Sequence, residues 1–134
     1  MDVTMLLCDA ADAANGKLYV LGGGWSHIQL PDTPFNASLA VLIAVPWTAT
    51  NEKHKLRVQL IDDDGQQVVV AENPVLAEGP FEVGRPPGLK AGTAIHQPLT
   101  FRFNNLVLPA GGYVFELEMN GTVLARCPFR VGFD

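Results

Sequence analysis

Hydrophobic and polar residues alternate along most of this chain, which is the pattern of β-strands that bury one face. In HKLRVQLI (54–61) the leucines and the valine fall on one face, and the polar residues between them fall on the other. The same alternation recurs in PLTFRF (98–103) and YVFELEM (113–119). No stretch of a dozen residues has helical periodicity. The pattern predicts an all-β protein.

Turn signals divide the alternating segments into roughly nine predicted strands, spaced as in a sandwich or barrel. Asn15-Gly16 and Asn120-Gly121 are interpreted as two-residue hairpin turns, because asparagine and glycine both tolerate a positive φ angle. The apolar and alternating segments cover residues 4–8, 17–21, 25–30, 39–45, 54–61, 68–71, 80–83, 98–103, 113–119 and 122–131.

The segment LPAGGY (108–113) adds a topological signal. Immunoglobulin-like sandwiches have such a corner where a strand crosses between the sheets, and its tyrosine hydrogen-bonds the backbone a few residues upstream. We therefore expect Tyr113 to make this bond, and we predict an immunoglobulin-like Greek-key β-sandwich that spans residues 1–134 as a single domain. NGKLYVLGGGW (15–25) resembles one blade of a kelch propeller, but one copy cannot build a propeller.

Some predicted strands are apolar on both faces. In SLAVLIAVPW (38–47) the larger aliphatic residues take one face, and alanines and a leucine take the other. An ordinary sandwich exposes the outer face of each sheet to water, so something must cover these residues. A second copy of the chain is the simplest cover, and long loops folded over this face are the alternative. We therefore predict a homo-oligomer with an interface that includes Leu6, Ala40, Leu42 and Ala44.

Composition and charge argue against several classes of partner. The 134 residues include 14 acidic and 9 basic side chains, for a net charge of −5, and the basic residues are scattered. This charge repels phosphate backbones and anionic lipids, so we expect no nucleic acid and no membrane as partners. No window approaches the roughly 18 apolar residues of a membrane span. The start MDVTMLLCDAADA lacks the positive segment of an export signal, so we expect a cytoplasmic protein.

Residues that often carry chemistry do not form a recognisable set. Ser26 and His27 are neighbours in sequence, and neighbours along a strand point to opposite faces. The three histidines have none of the short spacings of a metal site. The acidic run DDDG (62–65) is interpreted as a hairpin turn, with a calcium loop as the alternative. Cys8 and Cys127 are expected to be small buried side chains, with a disulfide as the alternative. We expect no catalytic residue, no metal ligand and no cofactor.

Residues 82–98 form the longest segment without a clear strand. Its prolines and glycines predict a loop that is stiff in places and hinged in others, and loops of this length are often functional. A surface loop without a partner is the alternative. The candidate recognition residues are Arg85, Pro86 and Pro87 in this loop, together with Trp25, which follows the glycine bend at residues 22–24.

Five short segments stand out: LLCD (6–9), GKLYVLGGGW (16–25), FEVGRPPGL (81–89), GGYVFELEMNG (111–121) and PFRV (128–131). Together they resemble an uncharacterised family of small bacterial proteins, and the resemblance covers nearly the whole chain. That family has no assigned activity. The resemblance therefore implies an intracellular bacterial β-sandwich and supplies no catalytic residues.

These observations favour a non-enzymatic structural or protein-interaction module that self-associates and presents its loops to another bacterial protein. A small-ligand binder, with a pocket that contains Trp25 and Trp47, is the second hypothesis. A small hydrolase-like enzyme is the third. It would need a pocket that joins a histidine, a carboxylate and Cys8 or Cys127.

Overall fold

The computed structural model describes residues 1–132 as two β-sheets that share one core. It contains eleven strands and a 3-10 turn at Trp47–Ala49, so the prediction of roughly nine strands is corrected. In chain order the strands are β1 (Asp2–Ala14), β2 (Lys17–Gly23), β3 (His27–Ile28), β4 (Phe35–Val45), β5 (His54–Asp62), β6 (Val69–Val70), β7 (Asn73–Pro74), β8 (Leu76–Phe81), β9 (Ile95–Leu106), β10 (Gly111–Met119) and β11 (Thr122–Val131).

The strands other than β6 and β7 form a sandwich, which confirms the predicted fold class. The four-stranded sheet has the order β2-β1-β4-β9, and the five-stranded sheet has the order β3-β11-β10-β5-β8. Neighbouring strands run antiparallel, except that β3 runs parallel to β11. β6 and β7 pair with each other as a separate ribbon. Within residues 1–132, no helix is long and apolar enough to cross a membrane.

The core lies between the two sheets and is built from alternate strand residues, as the pattern predicts. On β4, every second side chain from Ala37 to Val45 has no exposed surface. The residues between them point to the opposite face of the sheet. The largest fully buried side chains come from both sheets and include Leu39, Ile43, Leu60, Phe115 and Leu117.

Both predicted two-residue hairpin turns are confirmed. Asn15 and Gly16 connect β1 to β2 with φ angles of 54° and 72°. Asn120 and Gly121 connect β10 to β11 with φ angles of 54° and 84°. These left-handed backbone angles explain why the two turns use the same pair of residues.

The predicted tyrosine bond is also present. The hydroxyl of Tyr113 donates to the carbonyl oxygen of Pro109 over 2.8 Å, just where the chain leaves β9 in one sheet and enters β10 in the other. The ring of Tyr113 stacks on Phe129, with 5.7 Å between ring centroids. The bond and the stack hold the crossing against the end of the core.

The outer face of the five-stranded sheet is polar. Arg126 on β11 is ion-paired to Glu116 on β10, with 2.8 Å between Nε and Oε2. Gln59 on β5 donates to the carboxylate of Glu118 over 3.5 Å. Charged and amide side chains thus connect neighbouring strands on this face, which is the pattern of a sheet surface in contact with water.

Candidate functional site on the four-stranded sheet

The predicted interface residues lie together on the outer face of the four-stranded sheet. In the β1–β4 ladder, Leu6 pairs with Ala40 and Thr4 pairs with Leu42. Paired residues on adjacent strands point to the same face, and Ala44 lies two residues further along β4. We call the group formed by Leu6, Ala40, Leu42 and Ala44 the outer apolar face.

This face is partly covered within a single chain. Ala40 is only 3% exposed, Leu42 and Ala44 are half-buried, and Leu6 is 40% exposed. Ala40 is therefore already buried, while the other three residues keep a surface that another molecule can reach. The subunit interface stays a prediction, and the accessible part of it is centred on Leu6 and Leu42.

This face is covered by a hairpin whose strands are longer than the sequence pattern predicted. β1 pairs with β4 only as far as Cys8, and residues 9–23 continue as a two-stranded hairpin that we call the β1–β2 arm. β2 comes close to β9, although a flat sheet would hold these strands about 14 Å apart. A Cβ atom added to Gly23 would lie 2.8 Å from Leu6 and 3.0 Å from Val20. The arm therefore curls out of the sheet plane and meets the outer apolar face at Leu6.

The arm itself exposes large apolar side chains. Tyr19 is 51% exposed, Val20 is 38% exposed and Leu21 is 72% exposed. Together with Leu6 they account for most of the large exposed hydrophobic residues that the structure describes; the others, Leu30, Val69 and Val107, are scattered. The signal in the sequence was LYVL (18–21), which does not alternate, but it was interpreted only as an ordinary strand of a hairpin.

The predicted recognition residues do not form one site. Trp25 packs edge-on against Phe35 and Phe129, with ring centroids 6.5 and 5.9 Å apart, so it belongs to the end of the core. Pro86 and Pro87 are exposed, in the loop between β8 and β9.

Arg85 is held by its own chain. Its guanidinium carbon lies 3.8 Å from the centre of the Trp47 ring, and its Nη2 donates to the Trp47 carbonyl over 2.8 Å. Its Nε donates to the hydroxyl of Thr50. These contacts give Arg85 a structural role, because they fasten the proline-rich loop to the 3-10 turn.

The prediction that Trp25 and Trp47 line one pocket is wrong. Trp25 contacts Phe35, which is the first residue of β4. Trp47 comes two residues after Val45, which is the last residue of β4. An extended strand of this length spans roughly 30 Å, so the two tryptophans lie at opposite ends of the sandwich. They cannot line one pocket.

Both cysteines are free and buried, so the chain has no disulfide between them. The Cys8 thiol donates to the carbonyl oxygen of Ser38 at 3.5 Å, and the Cys127 thiol donates to that of Met5 at 3.4 Å. Burial raises the pKa of each thiol above its ordinary value. A thiol that holds its proton in this way is a poor nucleophile.

The acidic run is a turn, as predicted. The carboxylate of Asp62 accepts hydrogen bonds from the backbone N–H groups of Asp64 and Gln66, at 3.0 and 2.9 Å. Asp63 turns the other way and accepts from the backbone N–H of Gly112 over 3.1 Å. Within residues 1–132, no group of three or more metal-ligating side chains is clustered.

An open cleft of about 550 Å³ lies at one end of the five-stranded sheet. Ser26 and His27 both line it, although they were expected to point to opposite faces. The Nε2 of His27 donates to the carbonyl oxygen of Gly132 over 2.8 Å. Asp63 and Arg130 complete the polar part of the lining. The cleft contains a histidine and a carboxylate, but neither cysteine, so it lacks the set proposed for a thiol hydrolase.

One known family model matches nearly the whole chain. A model described as a family of unknown function (DUF6941) matches residues 3–132. The chain belongs to this family. The resemblance to an uncharacterised family is therefore confirmed, and DUF6941 membership covers both sheets and the β1–β2 arm.

Other comparisons add little to the DUF6941 assignment. No curated protein matches the sequence. A solved structure of the Pseudomonas fluorescens alkylpurine DNA glycosylase AlkC, bound to DNA containing an abasic site analogue, is similar over 98% of this chain and 31% of its own chain. The identity is 15% and the TM-score is 0.44. This chain thus spans less than a third of that protein, and the likeness supports no statement about function.

Proposed function

We propose that this protein is a non-enzymatic interaction module that self-associates through the outer apolar face and the β1–β2 arm. The observation that carries the proposal is the difference between the two outer faces of the sandwich. One face joins its strands through ion pairs and amides, whereas the other presents Leu6, Leu42 and Ala44. Covering an apolar sheet face with a second surface lowers the free energy, because it removes that face from water.

The charge of the chain supports this face as the contact between copies. Two copies that each carry a net charge of −5 repel each other over most of their surface. β4 has no charged residue, and β1 has none from Val3 to Cys8; the charged residue nearest this face is Asp2, which pairs with Ala44 at its end. Repulsion is therefore weakest at the outer apolar face, and a closed two-fold pair would bury this face on both copies.

The strand order supports an immunoglobulin-like Greek-key connectivity for this module. Consecutive strands change sheet at the β2–β3, β3–β4, β4–β5, β8–β9 and β9–β10 connections. The Tyr113 to Pro109 bond lies at the last of these, where such sandwiches carry a tyrosine corner. We also propose a cytoplasmic location, which the two free thiols support because a reducing compartment keeps cysteines unpaired.

The test is the molar mass in solution, measured by size-exclusion chromatography with light scattering. We expect the wild-type chain to run as a dimer or larger assembly at micromolar concentration. Leu42→Lys places a charge on the outer apolar face and should give a folded monomer. Val114→Lys is the matched control, because Val114 is also half-buried but lies on the five-stranded sheet. A monomeric wild type, or a Leu42→Lys variant of unchanged mass, would contradict the proposal.

Binding of a small ligand is the second candidate function, and the cleft beside His27 and Arg130 favours it. Its volume of about 550 Å³ is within the range of small-molecule sites. Arg130 in this lining would bind a small carboxylate or phosphate. Titration with acetate and inorganic phosphate should raise the melting temperature of the wild type and leave that of Arg130→Ala unchanged; equal responses would count against a site.

A further inference from the structure

Four strands form the free edges of the two sheets, and three of these edges are blocked. β9 contains Pro98 and β8 contains Pro80, and a proline removes a backbone donor from an edge. β3 is only two residues long. Each of these features is a known protection against pairing with another chain.

β2 differs from the other edges. It is seven residues long, contains no proline, and carries one charged residue, Lys17, at its first position. Its side chains are exposed except for Leu18, which is half-buried. Within residues 1–132, β2 is thus the edge strand with length, backbone donors and apolar side chains that suit the addition of another strand.

The register of the hairpin shows which backbone groups of β2 face outward. Ala14 and Lys17 close the two-residue turn, and the pair that closes such a turn is hydrogen-bonded. Hydrogen-bonded and non-hydrogen-bonded pairs then alternate along an antiparallel ladder. Leu18 and Val20 fall on the non-hydrogen-bonded positions opposite Ala13 and Ala11. Their N–H and C=O groups therefore point away from β1, toward the free edge.

We propose that a second copy of the chain binds by antiparallel pairing of its β2 with this β2, so that the two β1–β2 arms together form one four-stranded sheet. The inference rests on the proposed self-association and specifies its geometry. The two-fold axis passes beside Tyr19, because this register pairs Leu18 of one copy with Val20 of the other, the residues whose backbone groups face outward.

This register also agrees with the charges and side chains of β2. Lys17 of one copy lies opposite Leu21 of the other, so the two lysines stay apart. Two Tyr19 rings lie directly opposite each other, where aromatic cross-strand pairs stabilise a sheet. The exposed side chains of the arm and the outer apolar face then form one continuous surface around the contact.

Backbone pairing is tested by a change that removes a donor without removing an inward bond. Val20→Pro deletes an N–H that points to the free edge, and prolines are tolerated at such positions. We expect it to raise the dimer dissociation constant about tenfold or more, which is the cost of losing paired backbone bonds at a two-fold axis. Val20→Ala keeps the N–H and is the matched control, with a change of less than about threefold. Equal loss in both variants would overturn the backbone pairing.

The register is tested by oxidative cross-linking. In the proposed dimer the Cα atoms of the two residues 19 lie about 4.5 Å apart, within the range that a disulfide bridges. Tyr19→Cys should therefore give a covalent dimer on mild oxidation. Lys17→Cys is exposed on the same strand, but its two copies lie about 14 Å apart in this register and should stay unlinked. Linking at position 17, or at neither position, would overturn the register.

The two proposals fail in different ways. If the wild type is a monomer, self-association itself is wrong. If the wild type is a dimer that Leu42→Lys dissociates while Val20→Pro does not, the outer apolar face forms the contact without the β2 edge. A dimer that both variants dissociate, together with the cross-link at position 19, supports both proposals.

Discussion

The side-chain amide of Asn120 donates a hydrogen bond to Nδ1 of His54 over 3.0 Å and so ties the β10–β11 turn to the start of β5. The Asn120 side-chain oxygen accepts from the backbone N–H of Lys55 over 2.9 Å. On the other side of the ring, Nε2 of His54 donates to the carbonyl oxygen of Ala49 over 2.8 Å. Because the residue is only 8% exposed and both ring nitrogens are bonded, His54 holds three segments together.

This arrangement predicts that two turns of the same sequence respond differently to the same substitution. Glycine accepts the φ angle of 54° that both Asn15 and Asn120 adopt. Asn120→Gly leaves Nδ1 of His54 without its donor in a buried place, so it should lower the free energy of unfolding by about 1–3 kcal/mol. Asn15→Gly is the control and should change stability by less than about 0.5 kcal/mol. Urea unfolding followed by circular dichroism measures both, and equal losses would contradict a specific role for Asn120.

Tyr113→Phe isolates the hydrogen bond at the crossing between the sheets. The ring keeps its stack on Phe129, but the carbonyl oxygen of Pro109 loses its donor. We expect the free energy of unfolding to fall by about 1 kcal/mol, which is typical of one such bond. Tyr19→Phe is the matched control, because it removes a phenol hydroxyl away from the crossing and keeps the ring that the proposed β2 contact uses. A Tyr113→Phe variant as stable as the wild type at equal protein concentration would show that the bond contributes nothing.

The sequence predicted features that depend on local signals. Alternation identified β5 and β10, the Asn-Gly pairs identified two turns, and LPAGGY identified the Tyr113 bond. Each signal lies within a few neighbouring residues, and the physics behind it is also local: the pleat of a strand, a permitted φ angle, or a bond between residues four apart.

The candidate site depended on contacts that no local pattern encodes. Ala40 looked like an exposed interface residue, because the pattern of β4 cannot show that the β1–β2 arm curls back toward its outer face. Arg85 was predicted to be a recognition residue, but it stacks on Trp47, which is 38 residues earlier in the chain. Trp25 and Trp47 were grouped by residue type, although the length of β4 separates them.

Arg85→Lys should loosen the proline-rich loop while the sandwich stays folded. Lysine keeps the charge, but it loses the planar stack on Trp47 and the paired donors to Trp47 and Thr50. We expect faster amide hydrogen exchange and faster proteolysis within residues 84–94, together with a change in tryptophan fluorescence. Arg102→Lys is the control, since Arg102 is exposed and donates to Asn104 on its own strand. Unchanged loop exchange in Arg85→Lys would show that the stack does not hold the loop.

The two buried thiols predict how stability depends on alkaline pH. Burial raises the pKa of Cys8 and of Cys127, so the folded chain holds both protons more tightly than the unfolded chain does. In the unfolded chain a thiol has a pKa of about 8.5. The contribution of the two thiols to the free energy of unfolding is therefore complete below the unfolded-state pKa, and it is lost as the pH rises through the pKa values of the folded state. Urea unfolding of the wild type between pH 7 and 10 should show stability falling above about 8.5. The Cys8→Ala, Cys127→Ala double variant is less stable at pH 7 because of the lost packing, but its stability should fall less steeply above that pH. A double variant with the same alkaline slope as the wild type would mean that the thiols are not the groups that release their protons on unfolding.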